Sequence, residues 1–363
     1  MIEPAGSLMS AEIAEQPAML ARLAAGAGAE IAAVSAAIGS RRPRFVLLAA
    51  RGSSDHAALY AKYLIEVRLG LPAGLVSPSS MTVYGARPDL RDVLFVAVSQ
   101  SGGSPDLIDS LAAARGCGAM TVAVTNNPSS ELARAAEFGI DVQAGPERAV
   151  AATKSYTAEL LALYLLLAPL ADGGPAAGEL TGQVARLAEA AQATLEHREQ
   201  VLAIATRYRF ADRLITTARG FGYPTAREAA LKLMETCYLG AQAFSGADLL
   251  HGPMAMIDAD LPVLAVLTPG AGGRAMLAVL ERLRQRQADL VIVGGLPEGP
   301  PGVAGSAGLA AGHLLPVATS GLVEELFPIV EILPLQQLSC ELALQRGGNP
   351  DAPRGLSKVT QTW

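Results

Sequence analysis

The triplet Ala50-Arg51-Gly52 returns 168 positions later as Ala218-Arg219-Gly220. Each copy closes a short apolar run: Phe45-Val46-Leu47-Leu48-Ala49 in the first case, Leu214-Ile215-Thr216-Thr217 in the second. The same offset carries Ala97-Val98 onto Ala265-Val266 and Gly102 onto Gly270. A third run, Thr121 to Val124, meets Leu290 to Val293 at an offset of 169. One triplet recurs easily by chance in an alanine-rich chain. A constant offset across three apolar runs is fixed-period self-similarity, the signature of a duplicated structural unit. A chain of 363 residues holds two units of about 150 residues each.

Within each half, short apolar β-branched runs alternate with longer helical patterns. Phe45–Ala50, Leu94–Val98 and Met120–Val124 read as strands in the first half, and Leu214–Thr217, Val263–Leu267 and Leu290–Val293 in the second. Uninterrupted apolarity is expected where both sheet faces are covered. Helical patterns fall at Asp55–Arg68, Pro105–Gly116, Thr157–Leu170, Pro224–Leu239, Gly273–Gln287 and Val323–Gln345. This alternation implies right-handed βαβ units around parallel sheets, an α/β fold built twice. The expected division is an N-terminal helical extension over 1–35, a first domain over 36–175 and a connecting helix over 176–207. A second domain over 208–345 and a C-terminal tail over 346–363 complete it. The connector reads as one helix, Glu179 to Arg207, and the glycine-rich stretch Gly294 to Gly312 as a loop.

Composition narrows the function classes. Hydrophobic residues make up 51% and charged residues 17%, enough apolar surface to exclude a disordered linker. The net charge is −6 with no Lys/Arg block, which argues against a nucleic-acid partner. Cys117, Cys237 and Cys340 lie too far apart for a Cys-x-x-Cys site, and no disulfide framework is expected. Met1-Ile2-Glu3-Pro4 does not open a secretion signal. The apolar run Leu160 to Ala171 is broken by Pro169 and is shorter than the roughly 20 residues of a bilayer span. A cytoplasmic protein with no membrane partner is expected. No His/Cys/Asp/Glu set has metal-ligand spacing, and neither His-x-x-x-His nor Gly-x-Ser-x-Gly occurs, so no metal or other cofactor is expected.

In a parallel sheet, ligands bind beyond the carboxyl ends of the strands, at helix N-termini. There the first half carries Ser99-Gln100-Ser101-Gly102-Gly103-Ser104-Pro105. Hydroxyls, two glycines and a proline at the first helical position suit a phosphate cradle, although an ordinary serine-capped turn has the same composition. The cradle lacks the lysine of a nucleotide P-loop, which favours a phosphosugar over ATP. The duplicate reads Leu267-Thr268-Pro269-Gly270 and has lost the serines. Gly52-Ser53-Ser54 faces Gly220-Phe221-Gly222 in the same one-sided way. The second half instead offers Lys232 and Glu235, three apart on one helix face, and His251 in Leu249-Leu250-His251-Gly252-Pro253. By themselves these read as a surface ion pair and a structural histidine.

Five motifs in order carry a family resemblance: Ser99-Gln100-Ser101-Gly102, Val150-Ala151-Ala152-Thr153-Lys154, Glu228 to Glu235, His251-Gly252-Pro253, and Pro353-Arg354-Gly355-Leu356-Ser357-Lys358. The pattern resembles the tandem sugar isomerase (SIS) domains of the isomerase half of glucosamine-6-phosphate synthase. It runs from Glu15-Gln16-Pro17 to Lys358. The resemblance implies two doubly wound, flavodoxin-like SIS domains. It assigns phosphate binding to Ser54, with Ser53 adjacent, and to Ser99, Gln100, Ser101 and Ser104. Ser104 stands where the synthase has threonine. The backbone at Val150 matches a sugar contact, and Ala152 replaces a sugar-binding serine. Glu235 matches the base that moves a proton between C1 and C2, and Lys232 a lysine supporting charge at the sugar. His251 matches the ring-opening acid/base, supplied in the family by the neighbouring subunit, so a homodimer is implied. Lys358 matches a lysine that can form an imine with the open-chain ketose.

No counterpart of the family's glutaminase domain precedes the first repeat. The resemblance therefore extends to stand-alone relatives that convert glucosamine 6-phosphate and water into fructose 6-phosphate and ammonia. Close alternatives are aldose–ketose isomerisation, deamination of galactosamine or fructosamine 6-phosphate, and ammonia-dependent glucosamine 6-phosphate formation. A non-catalytic phosphosugar sensor is a different class. Such sensors carry a helix-turn-helix domain, for which the stretch before Arg44 is too short and too acidic.

Overall fold

Ten strands form two parallel five-stranded sheets in the computed structural model, which describes residues 4–267, 269–295 and 313–358. The first sheet contains β1 (Phe45–Ala49), β2 (Ala73–Leu75), β3 (Val93–Val98), β4 (Met120–Thr125) and β5 (Phe138–Asp141), in the order β2-β1-β3-β4-β5. The second contains β6 (Arg213–Ala218), β7 (Gly240–Ser245), β8 (Pro262–Leu267), β9 (Asp289–Gly294) and β10 (His313–Pro316), in the order β7-β6-β8-β9-β10. The two orders are the same, the flavodoxin-like order, with its switch point between the first and third strands.

The sequence offset is the sheet register. Leu48 pairs with Val96, and Thr216 with Leu264, each 168 positions on. Val98 pairs with Val124, and Val266 with Val293, which reproduces the step from 168 to 169. Strands β3, β4 and β8 are buried along nearly their whole length, as apolarity on both faces requires.

The chain divides into two compact units. The first comprises Ala18–Glu147 and Lys154–Ala185, with the chain from Ser357, and holds the first sheet. The second comprises the N-terminal helix Ser7–Ala14, Arg148–Thr153 and Arg186–Leu356, and holds the second sheet. The first core is built on Phe95, Ala97, Leu107, Leu111 and Ala123. The second is built on Val263, Ala265, Met276, Leu280 and Ile292. Few of these side chains are aromatic, in keeping with the 4% aromatic content.

Several elements differ from the sequence reading. The connector is two helices, Ala177–Leu195 and Arg198–Tyr208. At the break the buried Thr194 hydroxyl bonds back to the Ala190 carbonyl (2.8 Å) and accepts the Ala318 N–H (3.0 Å). The next turn tightens, with the Glu196 and His197 amides donating three residues back, to Ala193 and Thr194. The helix expected over Asp55–Arg68 is Ser53–Leu64 followed by a π-turn at Ile65–Leu69. The helix after β5 starts at Lys154, three residues early, and every residue of Lys154–Leu167 is buried. The helix Gln16–Arg41 is long and apolar enough in composition to cross a membrane, with mean hydropathy 1.4. Its buried Leu20, Leu23, Ala27, Ile31, Val34 and Ile38 recur at three- and four-residue spacing, the seam of a helix lying on a protein core. Of the expected loop Gly294–Gly312, residues 296–312 lie outside the described residues, as does Thr268.

Candidate active site

In the first unit the segment after β3 is wound into a cradle. The Ser99 hydroxyl accepts the Gly102 N–H (3.2 Å), and the Ser101 hydroxyl accepts the Gly103 N–H (3.3 Å). Ser104 caps the helix Pro105–Gly116 with extended backbone, and its hydroxyl makes no capping bond. The Gln100 carbonyl accepts the Asn126 N–H (3.1 Å). Gly102 has φ +61°, and a Cβ there would lie 2.2 Å from the Ser130 hydroxyl. Only glycine fits that turn. The helix N-terminus, with two serine hydroxyls folded beside it, is a seat for an anion.

Arg51, which the sequence reading used only as a marker of the repeat, adds a cation beside this seat. It follows β1 across the switch point, and its guanidinium donates twice to Asp106 Oδ2 (2.9 and 2.7 Å) in the first turn of the helix Pro105–Gly116. Ser53 is half-buried at the start of the helix Ser53–Leu64. Ser54 is buried, and its hydroxyl donates to the buried Glu159 (2.9 Å). In the second unit Gly222 stands at the position of Ser54, and one turn further on Thr225 donates to Glu331 (3.0 Å).

The second copy of the cradle is filled from within. Glu324 accepts the N–H groups of Ala271 (3.0 Å) and Gly272 (2.9 Å) at the start of the helix Ala271–Gln285. A Cβ on Gly270 would strike the same carboxylate at 2.4 Å. A side-chain anion thus sits on the second helix N-terminus, and this copy has no use for the lost serines.

The second unit presents the ionisable set. Lys232 and Glu235 lie on the helix Gly222–Cys237 and form an ion pair. It is no surface pair: Lys232 is 0% exposed, and its ammonium also lies 3.4 Å from Glu228, itself 0% exposed. Glu235 keeps 22% of its side-chain surface open, so one end of a buried charge relay reaches the surface. The segment 148–153 is held by backbone groups. Glu12 accepts the Arg148 and Ala149 amides, Asp351 O accepts the Val150 N–H (3.0 Å), and Thr153 O accepts from Gln336 (3.1 Å). Ala152 is half-buried and offers no hydroxyl. His251 ends the short helix Gly246–Leu250 and is exposed.

In the first unit Lys358 meets a residue that no motif marked. Its ammonium lies 2.8 Å from Glu147 Oε2. Glu147 also accepts from Ser155 N (3.0 Å) and Ser155 Oγ (2.7 Å). Burial pushes the Glu147 carboxyl up, but the Lys358 charge and the bonds from Lys358 and Ser155 outweigh it and hold the group below the usual carboxylate range. Burial pushes the Cys237 and Cys340 thiols up to about 11 and about 12, so neither is a thiolate nucleophile at neutral pH. The predicted residues therefore fall into two sets. Ser53, Ser54, Ser99, Gln100, Ser101, Ser104 and Lys358 belong to the first unit; Val150, Ala152, Lys232, Glu235 and His251 belong to the second.

The model of the SIS domain matches residues 41–169 and again 208–301, once on each sheet. The chain belongs to the SIS domain family. Its two SIS domains are similar to the glutamine–fructose-6-phosphate aminotransferase (isomerizing) of Methanothermobacter thermautotrophicus, 34% identical over 313 residues, which are 86% of this chain and 51% of that protein. The chain spans about half the length of the curated relatives it matches. Among solved structures, a protein of Silicibacter pomeroyi DSS-3 described as a candidate phosphosugar isomerase is 33% identical. Its TM-score is 0.82, over 94% of this chain and 99% of that one. The C-terminal domain of glucosamine-fructose-6-phosphate aminotransferase from Francisella tularensis follows the same SIS pair, with 25% identity and a TM-score of 0.83 over 95% and 98%.

Proposed function

We propose that this SIS protein is a phosphosugar isomerase that works as a deaminase, converting glucosamine 6-phosphate and water into fructose 6-phosphate and ammonia. The observation that carries the reading is the buried Lys232 beside the part-exposed Glu235. A carboxylate held by a buried cation is fixed in place with one face open, which is what proton transfer between neighbouring sugar carbons needs. The curated relatives support the substrate class, since their name joins fructose 6-phosphate to isomerisation.

The cradle of Ser99, Gln100, Ser101 and Ser104 holds the phosphate at the helix N-terminus, with Arg51 as the neighbouring cation. Ser53 and Ser54 join the cradle from the start of the helix Ser53–Leu64. The Val150 N–H is bound to Asp351, so a sugar contact there runs through its carbonyl. His251 opens the ring by proton transfer. Glu235 takes the C2 proton and returns it to C1, and Lys232 stabilises the charge that develops. The C1 aldehyde and C2 amine become a C1 alcohol and a C2 imine. Water adds to the imine carbon, and ammonia leaves. Lys358 acts at the open-chain carbonyl. Ammonia release from glucosamine, galactosamine and fructosamine 6-phosphates, measured side by side, tests this. Turnover is expected with glucosamine 6-phosphate. No ammonia from any of the three, together with interconversion of a neutral aldose 6-phosphate and its ketose, would overturn deamination and leave a plain aldose–ketose isomerase.

The reading includes a homodimer in which His251 serves the partner's site. His251 is exposed, and Met234, Tyr238, Leu250 and Met256, which flank Glu235 and His251 in sequence, are exposed large apolar residues. Mixing inactive His251→Ala and inactive Glu235→Gln subunits then creates heterodimers with one intact site each. With random exchange of equal amounts, about a quarter of the parental activity returns. Proven subunit exchange without recovery would place His251 in its own chain's site.

A further inference from the structure

Glu147 lies beyond β5, just after Gly145-Pro146, and is buried. A carboxylate withdrawn from water is costly unless it is paired and hydrogen-bonded. Two of its bonds come from Ser155, through the backbone N–H and the hydroxyl, at the start of the wholly buried helix Lys154–Leu167. Those two donors orient the carboxylate, so the acceptor is built into the frame of the first unit. The third partner arrives from 211 residues away, as the Lys358 ammonium at 2.8 Å. Lys358 keeps 26% of its side-chain surface open. Its charge is therefore anchored on Glu147.

We propose that Glu147 is the positioning residue of Lys358: the buried, Ser155-oriented carboxylate docks the C-terminal segment on the first unit and fixes the lysine nitrogen for its part in the reaction. The catalytic half of this statement rests on the phosphosugar reading above; the docking half does not. Glu147 is assigned its part through Lys358 and not at the sugar. It acts by removing the freedom of a flexible four-carbon side chain and of the segment that carries it.

The test compares Glu147→Gln, Glu147→Asp, Lys358→Met and the Glu147→Gln/Lys358→Met double variant. Glutamine keeps one oxygen for the Ser155 N–H and puts an amide nitrogen where Oε2 accepted from Ser155 Oγ and Lys358, so it removes the charge and that acceptor together. In the substrate-free protein, hydrogen exchange at the Gly355–Lys358 amides should rise equally in Glu147→Gln and Lys358→Met. With glucosamine 6-phosphate as the probe, Glu147→Gln should lower kcat for ammonia release by about 10- to 100-fold, the scale of one charged hydrogen bond. KM should stay within about threefold, because the phosphate cradle is untouched. Glu147→Asp should recover part of the loss. In the Lys358→Met background, Glu147→Gln should cost nothing more. A purely structural Glu147 would instead cost the same in both backgrounds, and that result overturns the proposal, as does unchanged exchange in Glu147→Gln. Failure of the deaminase reading is seen separately: no ammonia appears even from the parent protein, and the exchange measurement alone then decides the docking.

Discussion

Glu235→Gln is expected to lower kcat for ammonia release by about 100- to 10,000-fold, the range associated with a positioned acid–base group. The amide has the same shape and can still accept a hydrogen bond from Lys232, so the helix Gly222–Cys237 should keep its packing. What is lost is the ability to hold the C2 proton between its departure and its return. The decisive measurement is exchange of the C2 hydrogen with solvent, followed in heavy water with glucosamine 6-phosphate. The parent should wash deuterium in, and Glu235→Gln should not. Phosphosugar affinity should remain, since the serine cradle lies on the other unit's sheet. Unchanged wash-in would move the base elsewhere and leave Glu235 as a partner of Lys232 only.

The largest effect on stability should come from Lys232→Met. Lys232 is fully buried between Glu235 and Glu228, and Glu228 is fully buried too. Methionine fills much of the volume but takes away the only positive charge of this trio. Removing one partner of a buried ion pair costs about 3–5 kcal/mol, because the remaining charge stays in a medium that solvates it poorly. The denaturant midpoint should fall accordingly. Adding Glu228→Met should restore most of the loss, since apolar replacement of a whole buried pair is often neutral. Activity should stay low in both variants. Lys232→Met with the parental midpoint would show that the buried charges do not depend on one another.

The duplication was legible to the residue, because a period of 168 is set by strand pairing, and pairing is periodic. The central strands were legible too, since burial on both faces writes an unbroken apolar run. The edge strands β2, β5, β7 and β10 were not. They are three to six residues long and half-exposed in places, with glycine in β2, β5 and β7, so no apolar run marks them. The break at Glu196-His197 was hidden because Thr194 acts through the distant Ala318 amide. At the site, spacing showed that Lys232 and Glu235 share a helix face, but the same spacing describes a solvated pair. Only burial separates the two. The bond from Ser54 to Glu159 was hidden in the same way, since the two lie 105 residues apart. Glu147 and Glu324 carry no periodic or local signal, because each acts through a partner brought close by the fold; Arg51 stands in the repeated triplet, which marks the repeat but not its partner Asp106.

Glu324 has a consequence for how the chain can respond to its ligand. Two homologous lobes on one polypeptide would ordinarily offer two equivalent seats, and occupancy of one could tune the other. Here the second seat has a permanent tenant that is covalently tethered. On the proposed reading the chain takes up one phosphosugar, and the ratio of ligand to lobes is one to two at any concentration. Sigmoidal dependence on substrate cannot arise between the lobes of a single chain. Any cooperativity has to be transmitted from one polypeptide to another.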